Sequence, residues 1–297
     1  MRLKNYLLAV MIIAAIALQS CEKDVENFDI STKPMLVTTA FLSPQDTILT
    51  VEVKLTQPAI GKQLSEEQLK VKNATVVLSD GTQQTQLEYD EKHNKYFAPM
   101  ASLPIVSGKA YFLRVTTPTG EKAEAECVVP SLEGIHFTGL HYETNTQEQY
   151  DYSWLMHVIN FKWQDAPGVE NYYHLSGYRS YVHDIGYPAV RTVQHEPFHA
   201  DPFKIYARDT EQDGQIMQSP NFGLTTSEED HASKPFAIYA VLAVTDKAYY
   251  DYHQSVISQE RSGNNPFAEP KRIYSNIRGG LGVFAAYNQI KVVRMVQ

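Results

Sequence analysis

The sequence predicts a mostly β protein made of two antiparallel β-sandwich domains, with one α-helix inserted in the second. Apolar and polar residues alternate strictly over 49–55, which indicates a strand with one face in solvent. Short β-branched runs end in turn signals, such as Ser-Asp-Gly at 79–81 and Thr-Pro-Thr-Gly at 117–120. Strands separated by turns, with no long helical period in the first half of the chain, are typical of a sandwich.

The first sandwich is predicted over residues 35–131. Along 122–129 the apolar residues share one face of a strand and the charged residues share the other. This alternation places Cys127 on the inner face, where a thiol usually acts as a small hydrophobic group and not as a nucleophile. The domain is expected to end near Ser131, after a Val-Pro pair.

The second sandwich is predicted over residues 132–297. Ile159, Phe161 and Trp163 are expected to share the inner face of a strand, and a Pro-Gly turn and a Tyr-bearing strand at 171–175 follow it. This order resembles the B–C region of a fibronectin type III domain, which implies an immunoglobulin/fibronectin III-like fold. Residues 176–234 are rich in Pro, His, Gly and acidic residues, so we expect long loops and short hairpins there.

One buried strand and one helix follow this region. The continuous apolar run 236–244 predicts a strand that is covered on both faces. Asp246 is expected to cap a helix that extends to about Arg261, and Gly263 is expected to end it. The predicted inner stripe of this helix consists of Tyr249, Tyr252, His253, Val256 and Ile257. A pair of strands near 280–286 and 290–296 is predicted to complete the domain.

The N-terminus has the features of an export signal. A short basic region precedes a nearly uninterrupted apolar run over 6–18, which is shorter than the roughly 20 residues of a membrane span. Leu-Gln-Ser-Cys at 18–21 then resembles a bacterial lipobox, which implies lipidation of Cys21 and removal of 1–20 as a lipoprotein signal peptide. The alternative is an ordinary signal peptide with an incidental cysteine.

Residues 21–34 are predicted to be an acidic tether between the anchor and the first sandwich. Three acidic residues within 22–26 resemble the surface-export signal of Bacteroidota lipoproteins, and the alternative is a tether that is simply solvated. We therefore expect a protein that is lipid-anchored in the outer membrane and exposed at the cell surface. The acyl chains on Cys21 would supply the contact with the membrane.

The charge and cysteine content narrow the class of partner. The formal net charge is −8, and it becomes −10 once residues 1–20, which carry two basic and no acidic residues, are removed. This balance argues against nucleic acid or an anionic surface as a partner. Only Cys127 remains as a thiol after lipidation, so no disulfide within the chain is expected.

Three C-terminal segments carry a more specific resemblance. Asn-Pro-Phe-Ala-Glu-Pro at 265–270, Ile-Tyr-Ser-Asn-Ile at 273–277 and Gly-Gly-Leu-Gly-Val-Phe at 279–284 resemble the signature of a Bacteroidota lipoprotein family labelled domain of unknown function four-two-four-nine. The resemblance implies a lipidated chain typically encoded beside TonB-dependent receptors. It transfers no catalytic or binding residue, because the family has none established.

The residues of this signature also have a structural interpretation. Pro266 and Pro270 are expected to stiffen a crossing segment, and the glycines of 279–282 are expected to permit close approach of neighbouring backbone. Asn276 is expected to hydrogen-bond a neighbouring loop. The signature therefore predicts backbone geometry and not chemistry.

The residues that could carry chemistry give only weak candidates for ligand or partner binding. Asp209 and Asp213 lie in a stretch, 209–214, that resembles the start of a calcium loop, but its twelfth position is Pro220 and a plain turn is the alternative. His183, His195 and His199 form a candidate transition-metal cluster, and the alternative is solvated or hydrogen-bonded loop histidines.

These observations lead to a functional hypothesis without catalysis. We expect an accessory protein of a TonB-dependent outer-membrane receptor that captures ligand or assembles with the receptor. No catalytic residue, metal or cofactor is expected. The sequence contains no Gly-x-Ser-x-Gly elbow, and the His-Glu-x-x-His pattern at 195–199 includes Pro197, which argues against the helix that such a zinc site needs. The alternatives are a structural or adhesive surface lipoprotein and a metal-dependent hydrolase that uses 176–234.

Overall fold

A computed structural model, in the residues that it describes, contains two β-sheets that form the framework of the fold. The structure describes residues 34–58, 62–149, 152–185, 190–227, 235–263, 269 and 271–296. Residues Pro34–Gln57 and Leu64–Gln297 belong to one structural unit, and the elements below lie in it. The prediction of a mostly β chain is confirmed. The predicted signal peptide, nearly all of the acidic tether and Cys21 lie outside the described residues.

The strands before residue 131 mostly alternate buried and more exposed residues, as strands with one face in solvent do. They are β1 (Leu36–Leu42), β2 (Ile48–Leu55), β3 (Thr75–Ser79), β4 (Gln84–Asp90), β5 (Lys95–Pro99), β6 (Ala110–Thr116) and β7 (Lys122–Val128). A single-turn helix, α1 (Glu66–Leu69), and a 3-10 turn, Met100–Ser102, connect some of these strands. The side chain of Ser65 accepts the backbone amide of Gln68 in α1 as an N-cap.

The strands after residue 131 include several much longer ones. They are β8 (His136–Gln149), β9 (Tyr152–Gln164), β10 (Tyr172–Ile185), β11 (Val190–Pro197), β12 (Tyr206–Arg208), β13 (Ile216–Gln218), β14 (Phe222–Ser227), β15 (Phe236–Thr245) and β16 (Leu281–Val296). Helix α2 (Lys247–Gly263) connects β15 to the signature segment that precedes β16. Nine of the ten residues of β15 are buried, which confirms that this strand is covered on both faces.

The larger sheet continues from the second half of the chain into the first. Its strand order is β11-β10-β15-β16-β1-β2-β5-β4-β3-β6-β7, with β12 pairing to β10. The smaller sheet has the order β13-β9-β14, with β8 pairing to the other edge of β9. Among the described strands, β1 and β16 form a parallel pair, whereas the other pairs are antiparallel.

In the described part of the chain, the two larger apolar cores lie on either side of residue 131. The first contains residues from 36–129, and Ile277, Phe284 and Ala286 join it from the C-terminal end. The second contains residues from 135–244 and includes the fully buried Trp163. The division into domains 35–131 and 132–297 stays a prediction, because the larger sheet crosses from one core to the other. The inward orientation of Cys127 is confirmed, since only 4% of the residue is exposed and burial raises the pKa of its thiol.

Helix α2 confirms the predicted cap and is fixed to the sheet by the same residue. One carboxylate oxygen of Asp246 accepts the amide of Tyr249 at 2.8 Å, as an N-cap does. The other oxygen accepts the amide of Ala286 in β16 at 3.0 Å. Tyr249 packs with Val283 and Ala285, so the helix lies against the face of β16.

Two predictions of secondary structure are wrong. Residues 176–185 and 190–197 are not loops, because β10 and β11 pair in continuous register from Tyr178 opposite Pro197 to Ile185 opposite Val190. The predicted strand pair at the C-terminus is one strand, β16. Its first part pairs with β1 and its later part with β15, so the chain changes partner without a turn. Asn288, which lies between the two predicted strands, is buried within β16 and donates to the carbonyl of Pro130 at 3.0 Å.

The close backbone approach predicted for the glycines of 279–282 is confirmed, whereas Asn276 hydrogen-bonds strand β16 and not a loop. Gly282 has φ +112°, and a Cβ there would lie 2.9 Å from both the amide nitrogen and the carbonyl carbon of Thr38 in β1. Asn276 accepts the amide of Phe284 at 3.0 Å and donates to its carbonyl at 2.7 Å. These contacts hold the start of β16 against its neighbours. Pro266 and Pro270 lie outside the described residues.

Candidate functional site

Three carboxylates meet where the turn after β9 faces the loop after β12. Asp165 follows the last residue of β9, and Asp209 and Asp213 lie in the loop. Their carboxylate oxygens lie within 4.8 Å of one another. Asp165 and Asp209 are almost completely buried, whereas Asp213 is exposed. This carboxylate cluster brings together two predicted candidates and adds Asp165, which the sequence had indicated only as part of a turn.

Asp165 lies at the centre of the cluster and accepts hydrogen bonds on both of its oxygens. One oxygen accepts the hydroxyl of Tyr173 and, at 3.2 Å, the side-chain amide of Asn171. The other oxygen accepts the backbone amide of Gly214 at 2.8 Å. A buried carboxylate normally needs such donors, because desolvation of the charge is costly. Asp165 therefore joins the turn after β9 to the end of the 209–214 loop.

The other two carboxylates lie in the 209–214 loop and accept backbone amides from the segment between β9 and β10. Asp209 accepts the backbone amide of Asn171 at 2.9 Å, and Asp213 accepts the backbone amide of Gly168 at 2.7 Å. Burial raises the pKa of Asp209, the Asn171 amide opposes this, and the neighbouring charges of Asp165 and Asp213 raise it further. The two turns are thus fixed to each other by backbone amides that donate to carboxylates.

The donor set of the cluster is of the kind that a hard cation prefers. Ca²⁺ binds carboxylate and carbonyl oxygens, and a cleft of about 360 Å³ opens beside Asp209 and Asp213. However, position twelve of the loop is Pro220, which supplies no carboxylate. The hydrogen-bond donors already account for the arrangement as a structural lock between two turns.

The three predicted histidines do not form a cluster. In the β10–β11 register, His195 lies opposite Ser180 and His183 lies opposite Thr192. Successive residues of a strand point to opposite faces, so His183 and His195 lie on opposite faces of the hairpin. His199 lies beyond the end of β11, where it pairs with Gly223 of β14. The structure therefore gives no support for a metal site made from these three side chains.

A wider cleft of about 690 Å³ lies beside the N-terminus of α2, between segments of the two cores. Val128, Val169 and Tyr172 contribute apolar surface to it, and Glu170 and Lys247 contribute charge. Its lining residues include no histidine or cysteine. The cleft therefore lacks the usual nucleophile–base pairs that contain these residues.

Among the described residues, no helix has both the length and the apolar character needed to cross a membrane. A search of curated proteins finds no match to this chain. A family model with the description "Domain of unknown function (DUF4249)" matches residues 22–291, which is most of the sequence. The C-terminal signature and the mostly β fold therefore lie within one family match, and the chain belongs to the DUF4249 family.

Proposed function

We propose that the protein is a lipid-anchored accessory protein of the bacterial outer membrane that serves a TonB-dependent receptor. The observation that carries the proposal is Cys21 in the sequence Leu-Gln-Ser-Cys, directly after the apolar run 6–18. Acyl chains on this cysteine give stable anchoring without a transmembrane helix, since each buried methylene contributes about 0.8 kcal/mol. The acidic tether that follows supports display at the cell surface.

The chemistry of the described residues supports binding and not catalysis. The clearest group of titratable side chains is the carboxylate cluster, and the oxygens of Asp165 accept donors from the fold itself. The wide cleft beside α2 is open to solvent and lacks a lining histidine or cysteine. In this proposal the protein captures ligand for the receptor or assembles with it, and the receptor performs transport.

The role is tested by purification of the natively expressed, lipidated protein from detergent-solubilised outer membranes. A TonB-dependent receptor identified by mass spectrometry in near-equal amount is the expected result. A Cys21→Ala variant provides the control, because a chain that is not anchored should recover less receptor from the same cells. Recovery of the wild-type protein without any receptor would favour the structural or adhesive alternative and overturn the accessory role.

A further inference from the structure

The first strand of the described chain lies in the interior of the larger sheet. β1 begins at Leu36, close to the end of the predicted tether 21–34. It is hydrogen bonded to β16 on one side and to β2 on the other. An edge strand can be peeled from its single neighbour one hydrogen bond at a time, whereas a strand with two neighbours has to leave both. The chain therefore enters the fold through a strand that is held on both sides.

The pairing of β1 with β16 is parallel, and this direction decides how the pair resists a pull. Residues 37–42 lie opposite 281–286 in continuous register. A pull on the N-terminal end of β1 and an opposite pull on the C-terminal end of β16 therefore act along the shared strand axis. The six residue pairs of this ladder are then loaded together, so its hydrogen bonds have to break at nearly the same time. A pull at right angles to the strands would instead break these bonds in sequence.

Two polar side chains fix the same segment of β16 from outside the sheet. Asn276 accepts the amide of Phe284 at 3.0 Å and donates to its carbonyl at 2.7 Å. One carboxylate oxygen of Asp246 accepts the amide of Ala286 at 3.0 Å. Asn276 belongs to the C-terminal signature, which the proposed function leaves without a role. This part of the signature stabilises the strand segment against which β1 is held.

Core packing opposes any sliding of β1 along its partners. Leu36, Ala40 and Leu42 are almost completely buried in the first core. Movement of the strand by one residue would turn these side chains to the other face of the sheet, and movement by two would force each into the place of its neighbour. At Thr38 the backbone also lies too close to Gly282 for a Cβ to fit between them. The strand has to leave the sheet as a unit.

Strand β16 also connects β1 to the second core. Residues 287–296 of β16 pair with 236–245, which is the whole of β15. Nine of the ten residues of β15 are buried, so this strand is itself firmly held. A force that enters the fold at β1 is therefore passed through β16 to the buried strand of the second core, and not only to the strands of the first.

We infer that β1 and β16 form a mechanical clamp, which transmits a pull on the lipid anchor to the rest of the protein without unfolding it. This inference rests on the anchoring proposed above, because a pull on Cys21 reaches the described fold through β1. A protein that is anchored in a membrane and bound to a partner is stretched whenever the partner moves relative to the membrane. Its survival then depends on the rate of forced unfolding, which the clamp lowers.

The test is single-molecule force spectroscopy on the unlipidated chain of residues 21–297, which contains every described residue. One handle is attached to the thiol of Cys21. In the shear geometry the second handle is fused after Gln297. In the peeling geometry it is attached to the new thiol of an Arg278→Cys variant, so that the pull enters at the same end of both strands. The side chain of Arg278 is 78% exposed, whereas Cys127 is buried and stays unmodified.

We expect the first rupture to need a several-fold higher force in the shear geometry than in the peeling geometry at the same pulling speed. Gly282→Ala should lower the shear force, because it disturbs the contact between β16 and β1. Gly120→Ala is the matched control and should leave the shear force close to that of the parent, since a Cβ there meets no atom within 4 Å.

Equal forces in the two geometries, or equal shear forces for the two alanine variants, would overturn the clamp. If Gly282→Ala does not fold, the comparison of the two geometries decides alone. Equal forces together with loss of the Cys21→Ala chain from membranes would refute the clamp and leave the anchor intact. A high shear force together with membrane retention of a cleaved, unlipidated Cys21→Ala chain would refute the anchor, and the clamp would lose its role with it.

Discussion

Gly282→Ala is expected to destabilise the protein more than an alanine at another glycine with positive φ. At Gly282 the backbone has φ +112°, and a methyl group would overlap the carbonyl of Thr38 in β1. A non-glycine residue in such a conformation costs about 1–3 kcal/mol. Insertion of a methyl group into packed atoms costs a further 1–3 kcal/mol or so. The expected loss in the free energy of unfolding is therefore about 2–6 kcal/mol.

Gly120→Ala is the matched control for this prediction. Gly120 has φ +96°, but a Cβ at that position meets no atom within 4 Å. This variant should therefore show only the conformational part of the cost, about 1–3 kcal/mol. Urea unfolding of both variants and the parent, with midpoints and slopes compared, measures the difference. Equal losses in the two variants would refute the claim that β16 approaches β1 too closely for any side chain at 282.

Four further predictions concern the core, the anchor, the carboxylate cluster and pH. Trp163→Ala should lower the free energy of unfolding by about 3–5 kcal/mol, because it removes a fully buried aromatic side chain; a loss below about 1 kcal/mol would contradict this burial. Cys21→Ala should move the chain out of the membrane fraction, and retention of a cleaved, unlipidated form would disprove the anchor. Asp165→Asn should lower the free energy of unfolding, measured in urea, by about 1–3 kcal/mol, because the nitrogen of the new side-chain amide would face the backbone amide of Gly214. A gain in stability would show that repulsion between the carboxylates dominates. Burial and, to a smaller extent, the nearby His253 lower the pKa of His174 from 6.5 to about 4. The folded protein therefore favours the neutral form of His174. This contribution to the free energy of unfolding is fully present above pH 6.5, and about 3 kcal/mol of it is lost as the pH falls towards 4. His174→Phe should flatten this part of the stability curve relative to the parent at each pH. Burial raises the pKa of Asp246 to about 7, so this carboxyl group stabilises the fold as the pH falls, in the parent and in the variant alike. Parallel curves of stability against pH for the two proteins would contradict the role of His174.

The candidate site shows how far sequence reasoning reaches. Asp209 and Asp213 could be selected because alternate carboxylates before a glycine are a local pattern. Asp165 could not be added to them, because its approach depends on how the turn after β9 meets a loop that follows it much later in the chain. The proposed grouping of His183 with His195 failed for a related reason. Strand alternation decides which face each side chain takes, and the sequence did not show that both residues lie on paired strands.

The predictions about strands and helices show the same division between local and long-range features. The inward direction of Trp163 and Cys127 and the capping of α2 by Asp246 followed from the sequence. Each depends on a repeat or a hydrogen bond that spans only a few residues, so local side-chain chemistry determines it. By contrast, the continuous strand β16 was predicted as two strands, because its pairing partners β1 and β15 lie far from it in the sequence and local patterns do not reveal them.

The sequence by itself determined that this chain is mostly β, that 236–244 is a buried strand, and that one helix follows it. Only the tertiary structure decided that β1 pairs in parallel with β16 and that three carboxylates meet. The physical reason is that many strand pairings satisfy the same local pattern. The choice among them depends on packing and hydrogen bonding between segments far apart in the chain.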